Sequence, residues 1–143
     1  MKTLKRTNAG LIIAAAGSLV LFSAVILPQS NQWVAPKEAD ALINPLKDNE
    51  AATAEGKKLY IQYCGVCHGE KGKGDGPAGA AINPRPADHS NPKIQAQTDG
   101  AIFWKITNGR PPMASYKLAL KDSQRWQLVN YIRELGKVSV KKK

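Results

Sequence analysis

Cysteine is almost absent from this chain of 143 residues: there are two, and both lie in one five-residue segment. With none elsewhere the chain has no disulfide framework and no thiol near the N-terminus to carry a lipid. Histidine is as scarce, His68 and His89 being the two, and methionine is limited to Met1 and Met113. A structural zinc site wants a full tetrahedral set of ligands. Only Cys64, Cys67, His68 and His89 are on offer, and the adjacent Cys67 and His68 would have difficulty reaching one ion together. Acidic residues are also few, 11 against 21 Lys and Arg, for a formal net charge of +10. The distribution of that excess argues against nucleic acid as a partner. Lys2, Lys5 and Arg6 precede an apolar run and Lys137, Lys141, Lys142 and Lys143 close the chain, leaving 14 basic residues against the 11 acidic ones. Charge gathered at the two ends suits an acidic protein partner or an anionic membrane surface better. No segment reads convincingly as a strand and no internal repeat is visible, so the expected class is all-α.

Four stretches are expected. Residues 1–28 hold a basic start and an apolar run, 11–27, broken only by Gly17, Ser18 and Ser23 and ended by Pro28. A spanning helix needs about 20 apolar residues, with a lower limit near 17, and the run just suffices. It is long for a cleaved signal peptide, and no small-x-small site follows it closely. The expectation is an N-terminal transmembrane helix with its basic end inside, which puts the remainder on the outer, periplasmic face. The alternative is a cleaved leader and a soluble periplasmic protein. Residues 29–48, with Pro36 and Pro45, read as an extended linker in which Trp33 sits at the membrane interface or packs on the domain. Residues 49–136 are the globular domain and 137–143 a basic tail.

Within the domain, Asn49 or Thr53 is placed to cap a helix running to Tyr63. A Gly/Pro-rich loop region follows over 69–91. Thr98 or Asp99 starts a helix over 101–107, with Gly109 just past its end. Asp122 caps a last helix to Leu135, stopped by Gly136, whose Leu128, Tyr131, Ile132 and Leu135 form an i, i+3, i+4, i+7 stripe.

The chemistry lies in Cys64-Gly65-Val66-Cys67-His68. The pattern C-x-x-C-H reads as a covalent haem c attachment site. Two thiols on one turn suit thioethers to two vinyl groups, and the histidine that follows supplies an axial nitrogen. A thioredoxin-like redox pair would follow a strand and open a helix, whereas here a helical pattern precedes the cysteines and a glycine-rich loop follows. A plain disulfide leaves His68 unexplained. Iron held by histidine needs a sixth ligand or an open position. Met113, in the proline-stiffened segment Gly109-Arg110-Pro111-Pro112-Met113, is the candidate and His89 its competitor. Gly72-Lys73-Gly74-Asp75-Gly76 lacks the strand and helix that would make it a phosphate loop. It reads as backbone passing close to a haem edge.

Residues 51–135 resemble a class I monohaem cytochrome c of the small, membrane-anchored bacterial type. The resemblance rests on Gly56 and Tyr60 before C-x-x-C-H, on Tyr131 and Trp126 in the last helix, on the loop from Gly109 to Tyr116, and on the segments 69–77 and 84–88. It implies a small fold of helices and loops wrapped around one covalent haem, with first and last helices crossing at Gly56. It also implies a proline carbonyl, that of Pro84 or Pro86, accepting the ring N–H of His68. Arg110, Tyr116 and Trp104 are candidates to hold haem propionates, and Trp104, Ile106, Leu118 and Leu128 to form an apolar pocket. The function to expect is single-electron transfer between respiratory complexes, as a carrier or as a fixed subunit, with an open-site sensor or enzyme disfavoured by Met113. Partners would be redox proteins with acidic surfaces, met by Lys71, Lys73, Lys105 and Lys117; no nucleic acid and no small-molecule substrate is expected.

Overall fold

The computed structural model describes residues 32–140. The apolar run 11–27, expected to span a membrane, lies outside them. Among the described residues no helix is long and apolar enough to cross a membrane. Within the described residues five α-helices follow one another: α1 (Glu50–Tyr63), α2 (Gly65–His68), α3 (Pro92–Gln95), α4 (Asp99–Asn108) and α5 (Asp122–Val140). Short 3-10 turns occupy Lys37–Ala41 and Gly79–Ala81. The described residues form no strand beyond an isolated bridge between Arg110 and Met113.

Asn49 caps α1: its side chain accepts from the Ala52 amide at 2.9 Å, which satisfies one of the free N–H groups of the first turn. Thr53 instead turns its hydroxyl back to the Asn49 carbonyl. Helices α1 and α5 cross at Gly56, where a Cβ would fall far inside van der Waals distance of the Gln127 carbonyl oxygen. Only glycine allows so close an approach. Tyr60, with no exposed surface, then meets Tyr131 edge-on at a centroid distance of 5.1 Å. Aromatic pairs favour that geometry because the positive edge of one ring faces the negative face of the other. Trp126 is not at this crossing. It lies on the α4 side of α5 and stacks on Phe103 at 4.0 Å. With Ile102, Ile106, Leu120, Leu128, Val129, Ile132 and Leu135 these rings make one continuous core.

Helix α5 does not stop at Gly136. It continues to Val140, so Lys137 belongs to the helix and not to a loose tail. Gly136 answers a packing demand: a Cβ there would come within 2.5 Å of the Gln95 side chain, whose amide donates to the Ile132 carbonyl at 2.9 Å. A glycine at this place admits a neighbour and does not end the helix.

Much of the stretch read as an extended linker is folded. Ala39 in the 3-10 turn is 3% exposed, and its carbonyl sits where a side chain on Gly100 of α4 would be. Asn44, also buried, donates to Asn130 Oδ1 at 2.8 Å and to Asp99 at 3.0 Å. Asn130 in turn donates to the Leu46 carbonyl. Buried amides need such partners because desolvation without them costs about 1–3 kcal/mol each. Trp33 packs on the domain, with the cations of Arg110 and Lys105 over its ring at 5.2 and 5.5 Å. The segment from Trp33 to Asp48 is therefore a strap across α4 and α5.

Candidate functional site

The end of α1 and the single turn of α2 place Cys64, Cys67 and His68 together. The Cys64 amide bonds the Tyr60 carbonyl at 2.8 Å, and the Cys64 carbonyl accepts from Cys67 and His68 at 3.1 and 2.8 Å. The chain thus stays helical through the pair, with a kink at Cys64. A turn so short leaves carbonyls unsatisfied at its end. The glycine-rich loop supplies donors to them: Gly74 to His68 at 2.8 Å, Gly76 to Cys67 at 3.2 Å and Ala78 to Val66 at 2.9 Å. A Cβ on Gly76 would collide with the backbone of 65–67. The loop expected along a haem edge therefore packs on the motif's own backbone.

Both cysteines are free thiols and half-buried. Burial, aided by neighbouring Cys67, pushes the Cys64 thiol up to about 12, so it stays protonated. His68 Nδ1–H donates to the Ala87 carbonyl at 2.9 Å. That bond fixes the tautomer and leaves Nε2 with the lone pair. Burial lowers the pKa of His68, partly offset by the Ala87 bond, which favours the neutral, ligating imidazole. The acceptor is not Pro84 or Pro86. Pro84 is exposed, and the Pro86 carbonyl instead faces Gly74, which has no Cβ to meet it. No side-chain signal marks Ala87, since a carbonyl belongs to every residue; its placement after two nearby prolines was the only hint.

His89 lies flat on His68, with ring centroids 4.1 Å apart and planes 20° apart. Two rings stacked in this way do not bind one metal from opposite sides, so His89 is no competitor of Met113. Its Nδ1 shares a hydrogen bond with the Tyr60 hydroxyl at 2.8 Å. Burial, followed by the neighbouring Cys64, raises the Tyr60 phenol well above its ordinary value, so it keeps its proton. Burial pushes His89 down to about 3, neighbouring His68 adds to this and Asp88 opposes it.

Met113 is half-buried and closes a tight turn with Arg110: the Arg110 amide donates to the Met113 carbonyl at 3.0 Å and the Met113 amide to that of Arg110 at 2.8 Å. Gly109, at φ +64, caps α4 and lets the chain double back past Ala114. The Tyr116 hydroxyl donates to the Tyr63 carbonyl at 2.9 Å. This bond ties the methionine loop to the residue before Cys64. It also corrects the expected role of Tyr116, whose one proton is committed to the backbone and not to a propionate. Arg110 lies over the Trp33 ring, and Trp104 is half-buried. Ile106 and Leu128 are core, but Leu118 is 100% exposed and lines no pocket with them. Of the four lysines, Lys73 pairs with Asp88 at 3.5 Å and Lys105 is held by Gln97 and Trp33, while Lys71 and Lys117 are exposed.

The donor set fits a covalent haem: two unbridged thiols on one turn, a neutral imidazole with a free Nε2 beside them, and a thioether sulfur in a loop fastened to the same helix end. The comparisons agree. The cytochrome c family profile matches residues 53–136. The cbb3-type cytochrome c oxidase subunit CcoP of Azospirillum brasilense is 28% identical over 95 residues, which cover 66% of this chain and 32% of that protein. The cytochrome bc1 complex cytochrome c subunit of Corynebacterium efficiens is 30% identical over 115 residues, 78% of this chain and 31% of that one. The chain thus spans about a third of the length of the curated relatives it matches. Among solved structures, a reducing HAO-like protein complex of Kuenenia stuttgartiensis has a chain that superposes with a TM-score of 0.58 at 31% identity, covering 64% of this chain and 46% of that one. Motif, helix crossing and family match converge, and the chain belongs to the cytochrome c family and carries covalently attached haem c.

Proposed function

We propose that this protein passes single electrons, with Cys64 and Cys67 bound to the haem as thioethers, His68 Nε2 as one axial ligand and Met113 Sδ as the other. The observation that carries the reading is the hydrogen bond from His68 Nδ1 to Ala87, which leaves Nε2 free beside two unbridged thiols. Bound haem supplies a one-electron couple, and histidine–methionine ligation raises its potential and favours the reduced form. The chain's own part is to hold those donors and to limit water. Tyr116 fastens the methionine loop to Tyr63, and the α4–α5 core backs the site with apolar side chains. Exposed Lys71 and Lys117 suit a redox partner with an acidic surface. We place the domain on the periplasmic face of a membrane, held there by the 11–27 run.

A second reading, a fixed subunit of a larger respiratory oxidoreductase, is favoured by the relatives, two of which are named as subunits of an oxidase and of a bc1 complex. One experiment tests the core of both. A haem-stained denaturing gel of the membrane fraction, with the intact mass of the stained band, is expected to show one covalent haem on the uncleaved chain. Alanine at both Cys64 and Cys67 is expected to abolish the stain. Met113→Ala is expected to keep the stain, lower the potential and remove the weak near-infrared sulfur-to-iron band of the ferric form. A stained double mutant would overturn the attachment site, an unchanged Met113→Ala spectrum the sixth ligand, and a stained band lacking the 11–27 mass the anchor.

A further inference from the structure

The hydrogen bond from His68 to Ala87 acts at a single ring atom. It restrains the ring at one edge and leaves its flat face to be held by packing. The flat contact with His89, at 4.1 Å and 20°, supplies that packing. His89 is itself held at three points. Its Nδ1 shares a hydrogen bond with the Tyr60 hydroxyl at 2.8 Å. Its amide donates to the Gly72 carbonyl at 2.7 Å, and its carbonyl accepts from the Gln95 amide at 2.6 Å. Each anchor leads back to the core. Tyr60 stands in the α1–α5 crossing, and Gln95 also binds the Ile132 carbonyl of α5. Gly72, at φ +71, makes the room: a Cβ there would press on Tyr60, on His89 and, at 2.7 Å, on Leu135.

We propose that His89 is a positioning residue for the axial histidine, its ring fixing the plane in which His68 presents Nε2 and its own place being set by Tyr60. The proposal rests on the reading of His68 as an axial ligand. An imidazole plane fixed in advance orients the ligand's π orbitals relative to the ring it binds, so its signature is spectroscopic and separate from fold stability.

The test is proton NMR of the ferric, haem-loaded full-length protein. The spread of the hyperfine-shifted haem methyl resonances reports the orientation of the axial imidazole plane. His89→Ala removes the stacked face and is expected to change the spread. His89→Phe keeps a flat ring and is expected to restore it largely. Tyr60→Phe loses only the hydroxyl and is expected to move the spread in the same sense as His89→Ala, but less. A folded, haem-loaded His89→Ala protein with the parent spread overturns the proposal, as does a His89→Phe spread as altered as that of His89→Ala. Should His89→Ala fail to fold, Tyr60→Phe decides: the parent spread overturns the proposal and a shifted one supports it. A parent protein without the low-spin signature of a bound imidazole overturns the ligand reading itself, and the positioning role with it.

Discussion

The two sides of the site are built differently. On the His68 side, rings and backbone interlock: Gly56 brings α1 against Gln127, Tyr60 and Tyr131 fill the crossing, and His89 and Ala87 brace the imidazole. On the Met113 side, a four-residue turn, the Tyr116 amide on the Ile106 carbonyl and the hydroxyls of Ser115 and Tyr116 on the Thr107 and Tyr63 carbonyls hold the loop, and Leu118 stands 100% exposed beside it. The histidine side is set by packing that resists change at the scale of a methyl group. The methionine side is set by a few backbone hydrogen bonds and has exposed neighbours. Deeply packed elements carry the global stability of a domain, whereas exposed loops with few buried contacts open at lower cost. Substitutions on the two sides are therefore expected to differ in what they damage.

The sharpest break is Gly56→Leu. With a backbone oxygen where even a Cβ would go, α1 and α5 must move apart, at a cost of about 3 kcal/mol or more, the upper end of overpacking. Denaturant unfolding of the haem-loaded protein measures it, and a midpoint matching the parent would mean that the crossing does not govern stability. A smaller loss is expected at the strap. Asn44→Ala leaves Asn130 Oδ1 short of a donor in a buried place, at about 1–3 kcal/mol. The same change alters the acid response. Burial alone would raise the Asp99 carboxyl, but hydrogen bonds from Asn44 and Arg133 hold it below the ordinary 3.8. A depressed carboxylate stabilises the fold above its unfolded pKa, and that stability is lost as pH falls through the lower, folded value. Asn44→Ala is therefore expected to shrink the acid-dependent part, seen as a flatter stability profile below about pH 4. The smallest effect is predicted for Leu118→Ser, within about 0.5 kcal/mol, since the side chain buries nothing within the described domain. A larger loss in unfolding experiments would show that Leu118 has apolar contacts in the haem-loaded state and that the methionine side is less open than it looks.

The packed side was the more legible in the sequence. C-x-x-C-H, the Asn49 cap, Gly56 with Tyr60, and the stripe Leu128, Tyr131, Ile132 and Leu135 are local or periodic signals, and each has its expected place in the structure. What was missed depends on partners distant in sequence. Gly136 reads as a stop until Gln95 is seen against it. Residues 33–48 read as a linker because their anchor, Asn44 to Asn130, spans 86 positions. A helix stripe gives a face and not the identity of what covers it, so the stack of Trp126 on Phe103 is not legible in it. Leu118 reads as apolar pocket but is exposed, and His89 reads as a possible metal ligand but stacks on His68.

The strap has a consequence for where this module begins. The cytochrome c profile matches from residue 53, yet Asn130 finds its partners at Asn44 and Leu46, and Gly100 meets Ala39. The start of the profile match and the start of the folded unit differ by about twenty residues. A fusion that joins a foreign segment at residue 48 would transplant the motif with an unsealed flank, exposing α4 and the buried face of Asn130. A junction at residue 32 carries its own closure with it. In this chain the smallest transferable unit is longer than the stretch the family profile matches.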